Sequence, residues 1–389
     1  MEQVQWLRAG WLIDGRGGPA LRDRLIGLQG GRVAAIQAAG APWPDSFLDF
    51  SAAAVLPALI DAHVHLAFAT DGSGPDEGAA LIERHLRRLW RCGVLNVRDA
   101  GDSSGAVLGY KLRNADDAPG VKIAAAGWGW HAAGRYGRTI ARACPMGQRL
   151  AEAVLTQRGA DHVKIIHSGI NSLNEFGRAT PAQFERGALQ AAVKAAHAAG
   201  LAVMVHANGE EPVESALAAG CDSIEHGYFM GRANLARMAD RQTFWVPTVV
   251  PMAALAERAV LSPAQRDAAR RMVAHQLEQI ALARRLGVPI AAGTDAGSPG
   301  VAHGAALWRE LELLCAAGLS PEAAVACATS NAGRLLGQKQ RGVLLPGWRG
   351  DLIVVAIGGS GSPLRLPESG AVIAIHSGGR WWPEGQSLL

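Results

Sequence analysis

The spacing of hydrophobic and polar positions changes character twice along the chain. From residue 4 to about 55, short apolar runs such as Trp11-Leu12-Ile13, Leu25-Ile26-Gly27-Leu28 and Arg32-Val33-Ala34-Ala35-Ile36 are separated by glycine-rich turns. Gly30-Gly31 marks a hairpin between the second and third runs. The same pattern returns over 350–356 and 371–375, with Gly378-Gly379 in a turn. Two β-rich ends around a different middle predict a small β-sandwich domain drawn from both termini, 1–56 and 341–389.

Between those ends, β-branched runs that finish in polar residues alternate with alanine-rich amphipathic stretches. The runs are the one ending in His63-Val64-His65 and those at 93–99, 121–124, 162–166, 201–206, 222–226, 244–248 and 288–295. Helices are predicted over Thr180 to Ala199 and Ser262 to Leu286, with Pro181 and Pro263 just inside their starts. Strand and helix alternating about eight times predict an α/β fold, a (β/α)8 TIM barrel over 57–340. An open doubly wound sheet would want a glycine-rich phosphate loop after its first strand, and none is present.

A chain of 389 residues with 49% apolar residues can bury a substantial core. Its formal charge is only +4 and its arginines are dispersed, so no nucleic-acid partner is implied. No uncharged run reaches the roughly 18 residues of a membrane span, and the first residues lack a charged start followed by a long apolar stretch. A soluble, cytoplasmic protein is expected. Five widely spaced cysteines without a CxxC pair argue for reduced thiols rather than a disulfide framework or a cysteine zinc site.

Residues i and i+2 of a strand face the same way, so His63 and His65 can offer both imidazoles to one point. Barrel enzymes carry their reactive groups at the C-terminal ends of the strands. His63 and His65 close the first strand, His206 the fifth, His226 the sixth and Asp295 the eighth, while Lys164 lies within the fourth. Singly, each has an ordinary structural role open to it; together they point to a metal centre.

At these positions the sequence resembles the amidohydrolase superfamily of metal-dependent hydrolases, over nearly the whole chain. The motifs stand as Pro57-Ala58-Leu59-Ile60-Asp61-Ala62-His63-Val64-His65, Val97-Arg98-Asp99-Ala100-Gly101, Val163-Lys164-Ile165, Val205-His206-Ala207-Asn208-Gly209, Ile224-Glu225-His226-Gly227 and Gly293-Thr294-Asp295-Ala296-Gly297. The return at Leu345-Pro346-Gly347-Trp348-Arg349-Gly350-Asp351 matches too. Ala58 stands where the family usually has glycine and Arg349 where alanine is common; neither is a ligand. The prolidase-like and imidazolonepropionase-like branch is the nearest in pattern. That resemblance implies two divalent ions, zinc by the ligand types. One would sit on His63, His65 and Asp295, the other on His206 and His226, with a CO2-derived carbamate on Lys164 between them. It also implies that Asp295 shuttles the proton while water activated by the ions attacks a small-molecule amide, peptide-like or N-acyl amino acid.

Substrate contacts are assigned more loosely. His131 follows the third strand, Arg135 and Tyr136 share its loop, Tyr228 is two residues past His226, and His303 follows the eighth strand. Each is a candidate for holding substrate, and each has a packing or solvent-facing role open to it. Trp128 and Trp130 suggest an aromatic wall. Two other functions remain open at this point: a mononuclear cyclic-amide hydrolase or deaminase with an ordinary Lys164, and a non-catalytic barrel subunit. A homo-oligomer is compatible with all of them.

Overall fold

In a computed structural model, residues 3–38, 44–71, 78–114, 120–357 and 372–383 are described. The 371–375 run therefore begins one residue outside them. The terminal strands form a single seven-stranded sheet ordered Arg380–Pro383, Val372–Ser377, Leu352–Ala356, Leu48–Pro57, Gln5–Leu12, Leu21–Gln29, Arg32–Ala38. Among the described residues this is one continuous sheet, where two packed sheets had been expected. Its hairpins turn at Gly30-Gly31 and Gly378-Gly379, as their flanking pairs Gln29–Arg32 and Ser377–Arg380 show. The strand that joins the two ends, Leu48–Pro57, pairs parallel with Gln5–Leu12 on one side and antiparallel with Leu352–Ala356 on the other. Leu7, Leu12, Ile26, Val55, Leu352 and Val354 pack together on it.

The central strands pair in parallel. Leu59–Val64, Val94–Asp99 and Lys122–Ala125 make one sheet; Gly129–His131, His162–Ile166, Ala202–Ala207, Ser223–His226 and Phe244–Val246 run side by side in another, edged by Ala141–Ala143. Every residue of Leu59–Val64, Val94–Asp99 and His162–Ile166 is buried, as parallel strands covered on both faces require. Helices cover them through apolar stripes. Ala79–Arg91 turns Leu81, Ile82, Leu86, Leu89 and Trp90 inward, spacings of three and four that put them on one face. Pro263–Leu286 starts at a capping box in which Ser262 and Gln265 each accept from the other's backbone N–H.

Two segments depart from the sequence pattern. Residues 288–295 make no regular ladder, although they run between two strands: Ala291 donates to Trp245, Ala62 donates to Ala292, and Thr294 and Asp295 both donate to the His63 carbonyl. Pro289 brings no N–H, and Asp295 has φ +54°, which breaks an extended run. The helix expected from Thr180 begins instead at Arg186. Its first residues are held elsewhere, because Gly169 N–H donates to Thr180 Oγ1 and Gln183 bonds to His167, Tyr136 and Ser168.

Candidate metal centre

The side chains at the C-terminal ends of the central strands converge on one cavity of about 820 Å³. Lys164, His65, His206, His226 and Asp295 line it, with His63 fully buried behind them. Ring centroids of His63 and His226 are 5.1 Å apart and those of His206 and His226 4.5 Å. One nitrogen each of His63 and His226 and one oxygen of Asp295 lie within 4.8 Å of one another. The backbone is shaped to allow this. A Cβ at Gly293 would stand 2.9 Å from both N and Cβ of His63, and one at Gly297 2.6 Å from the His65 carbonyl oxygen. Only glycine lets the chain on either side of Asp295 pass so close to the first strand.

The hydrogen bonds behind the imidazoles fix their tautomers. His63 Nδ1 lies 2.7 Å from Glu225 Oε2 and His65 Nδ1 2.7 Å from the Gly101 carbonyl oxygen. Both partners only accept, so both Nδ1 atoms carry the proton and both Nε2 atoms face forward. There they meet Asp295 Oδ1 at 3.4 Å and 3.2 Å. His63 Nε2 is outside hydrogen-bonding alignment with that oxygen and has no other partner among the described residues. Such a contact is favourable in two ways: an imidazole that gains a second proton at Nε2 donates to the carboxylate, or a cation lies between the ring's lone pair and the carboxylate oxygen. Ligand atoms on a tetrahedral ion with bonds of about 2.0–2.1 Å lie about 3.3 Å apart, which matches both distances. On the other side, His226 Nδ1 meets Thr248 Oγ1 at 2.7 Å, while His206 donates from Nε2 to the Gly169 carbonyl at 3.2 Å, leaving Nδ1 free.

Charge in the site follows from burial and these partners. Burial opposes ionisation of Asp295, yet His63 and His65 hold its carboxyl well below the usual range. Burial would also lower His65, but Asp295 outweighs it and raises the imidazole above its ordinary value. His206 is driven down to about 3 and His226 well below its usual value, chiefly by burial. Lys164 is completely buried, its Nζ has no hydrogen-bond partner among the described residues, and burial pushes it down to about 8. A side chain at Gly129 would press within 3.0 Å of Lys164 Cγ, so glycine there leaves the lysine its room.

The remaining sequence candidates divide. Tyr136 and Tyr228 line the cavity; the Tyr136 ring is 5.6 Å from that of His206, and the buried Tyr228 hydroxyl has no partner among the described residues. His131, Arg135 and His303 are not among the lining residues. His131 Nδ1 bonds its neighbour's carbonyl at Ala132, Arg135 donates to the Pro181 carbonyl, and His303 stacks on His85 with centroids 3.8 Å apart. Trp128 and Trp130 also lie away from the cavity, with Arg142 stacked 3.7 Å over Trp128. The apolar wall is built instead from Phe68, Ile170, Leu173, Met252 and Leu255.

Sequence reasoning gave no role to the groups that hold the ligands. Asp61 Oδ1 accepts from His63 N–H and Thr294 N–H and its Oδ2 from Thr294 Oγ1, tying the first strand to the chain before Asp295. Asp99 accepts from Leu66 and Gly101 N–H, fixing the turn after His65. Glu225 stands behind His63. Asp61 had a signal: it is two residues before His63 and faces the same way. Glu225 had none, because His226 beside it has φ +67°, which breaks the alternation that would have turned the two apart.

Residues 54–374 match the amidohydrolase family. An uncharacterized protein of Mycobacterium tuberculosis (strain ATCC 25618 / H37Rv) is 31% identical over 290 residues, 73% of this chain and 75% of its own. The imidazolonepropionase of Salinispora tropica is 26% identical over 373 residues, 86% of each chain. The crystal structure of a Xaa-Pro dipeptidase with methionine bound in its active site superposes with a TM-score of 0.81 at 27% identity, over 98% of this chain and 100% of the other. The shared fold is of the TIM-barrel type. Matched over most of its length and through its parallel strands, the chain belongs to the amidohydrolase family and is a hydrolase acting on C–N bonds.

Proposed function

We propose that the protein hydrolyses the amide bond of a dipeptide or an N-acyl amino acid at a binuclear centre. The centre stands at the mouth of a closed eight-stranded barrel, 57–340, flanked by a small β domain from 1–56 and 341–389. The observation that carries the reading is the convergence on one cavity of His65, His206, His226, Asp295 and Lys164, whose Nζ has no partner among the described residues, with His63 buried beside Asp295. His63, His65 and Asp295 would hold one divalent ion, His206 and His226 the other, and a carbamate on Lys164 would bridge them. A buried amine with no acceptor nearby is a costly group, whereas a carbamate is an anion with two oxygens to share between cations. Zinc suits the imidazole and carboxylate donors. Bound there, two such ions supply Lewis acidity that activates water and polarises a carbonyl.

The chain's own groups do the rest. Asp295 turns Oδ1 to the two histidines, while its Oδ2 accepts from Ser298 Oγ at 3.1 Å and is the oxygen that takes a proton from water and returns it to the leaving amine. Tyr228, with its hydroxyl unpartnered in the cavity wall, donates to the substrate carbonyl, and Tyr136 closes over the same point. Arg178 lines the cavity, where it pairs with Glu175 at 3.2 Å; with Lys164 masked as a carbamate, a substrate carboxylate would compete with Glu175 for it. Phe68, Ile170, Leu173, Met252 and Leu255 favour a hydrophobic acyl or side-chain group. The likeness to a Xaa-Pro dipeptidase supports a peptide-like amide. Free cysteines throughout support a cytoplasmic setting, where we place the protein, as a homo-oligomer or alone.

A second reading rests on the compact group of His63, His226 and Asp295, which suits one ion, and on the likeness to an imidazolonepropionase. It is a mononuclear hydrolase or deaminase of a cyclic amide. Metal content per chain, after purification without chelator in bicarbonate buffer, separates the two. Two equivalents, with turnover of N-acyl amino acids or dipeptides abolished by chelation and restored by zinc, is the expected result. One equivalent with turnover of cyclic amides selects the second reading, and no metal after reconstitution overturns both.

A further inference from the structure

Beneath the ligands lies a buried chain of charged groups that the proposed reaction does not use. Arg98, 4% exposed, spends each of its three nitrogens on a separate acceptor. Its Nε donates to the Ala62 carbonyl at 2.8 Å, NH1 to Ser223 Oγ at 3.0 Å and NH2 to Glu225 Oε1 at 2.8 Å. Ser223 Oγ donates to the same Glu225 oxygen. Glu225 is fully buried, and its other oxygen, Oε2, bonds His63 Nδ1 at 2.7 Å. One guanidinium thus grips the strand one residue before His63 and, through Glu225, the back of its ring.

We propose that Arg98 is a positioning residue for the metal centre, acting through Glu225 to fix His63 as the Nδ1–H tautomer with Nε2 aimed at the ion. The inference rests on the metal-centre reading above. The guanidinium fork explains the choice of arginine: it satisfies the far oxygen of Glu225 and anchors the strand with rigid planar geometry, so that the near oxygen is left for the imidazole alone. A carboxylate behind a ligating histidine raises the basicity of its forward nitrogen and holds the ring plane. Removing the arginine would leave Glu225 buried without its counter-charge and free to rotate away from His63.

Zinc affinity, measured by competition with a chromophoric chelator, and melting temperature of the zinc-free and zinc-loaded proteins test this in four full-length variants. Glu225→Gln keeps the shape and removes the charge; it is expected to weaken zinc binding about 10- to 100-fold. Arg98→Met is expected to do at least as much, Arg98→Lys to recover part of the loss, and Ser223→Ala to change affinity less than about threefold. The zinc-induced rise in melting temperature should shrink in the same order. If Arg98→Met does not fold, Glu225→Gln and Arg98→Lys carry the test. Variants that melt lower with and without zinc by equal amounts, yet bind it as tightly as the parent, make the chain of charges structural only and overturn the proposal. A parent protein that takes up no zinc overturns the metal-centre reading with it.

Discussion

The two sides of the candidate centre are supported differently. Behind His63 stands a buried carboxylate backed by a guanidinium, while behind His226 stands the hydroxyl of Thr248 and behind His206 the carbonyl of Gly169. Charged partners give shorter, stronger hydrogen bonds than neutral ones and push more electron density through the ring. The first-strand side therefore holds one stiff, basic ligand, His63, next to His65 on the neutral Gly101 carbonyl, whereas the fifth- and sixth-strand side has neutral partners alone and is the softer one. An ion on the softer side would exchange more readily and accommodate a substrate oxygen with less cost.

Asp295 belongs to the stiff side, and replacing it breaks the comparison most severely. Asp295→Asn is expected to lower turnover by about three orders of magnitude, the scale of a lost general base, while at least one metal equivalent stays bound; full activity would discard the proton shuttle. Lys164→Ala should abolish the link between the sides. Its expected signature is a loss of about a hundredfold in turnover and of one metal equivalent, with partial recovery in a short-chain carboxylic acid; two equivalents retained would show that the lysine does not bridge.

Smaller changes sharpen the contrast. Gly293→Ala forces a methyl to within 2.9 Å of His63 and 2.5 Å of Val246 Cγ1, so the fold should lose about 1–3 kcal/mol, read as a lower melting temperature or denaturant midpoint. An unchanged midpoint would mean that the strands at this point separate easily. Thr248→Val removes only the hydroxyl behind His226. It should weaken metal binding by less than about tenfold, and so by less than Glu225→Gln; the reverse ranking would show that the neutral side is the tighter one.

Much of this arrangement was legible in the sequence because strand ends announce themselves. His63 and His65 follow the two-residue period of a strand, His206 and Asp295 each end a largely apolar run, and His226 closes the short run 222–226. The fourth-strand residues His162 to Ile166 and their pairing beside Ala202–Ala207 came through unaltered. What stayed hidden were groups whose meaning depends on the partner strand. Arg98 and Glu225 are 127 positions apart, and nothing local to either shows that they meet. The Leu48–Pro57 strand did carry a local signal that went unused: Leu48, Phe50 and Ala52 alternate with Asp49 and Ser51 at the two-residue period of a strand. The cavity walls at Ile170, Leu173 and Met252 come from segments without a strand period that places them; Tyr228 was found only through its proximity to His226 along the chain, and Tyr136 only through the loop it shares with His131.

Three residues at the ends of neighbouring central segments, His226, Thr248 and Asp295, have φ of +67°, +44° and +54°. In that region a non-glycine residue costs on the order of 1 kcal/mol, and a β-branched threonine more. Each would fit its backbone better as glycine, and each would then cease to serve the centre. Selection for thermal tolerance alone, in a library or over generations without substrate, should therefore erode these positions first and leave a sturdier barrel with no catalyst in it.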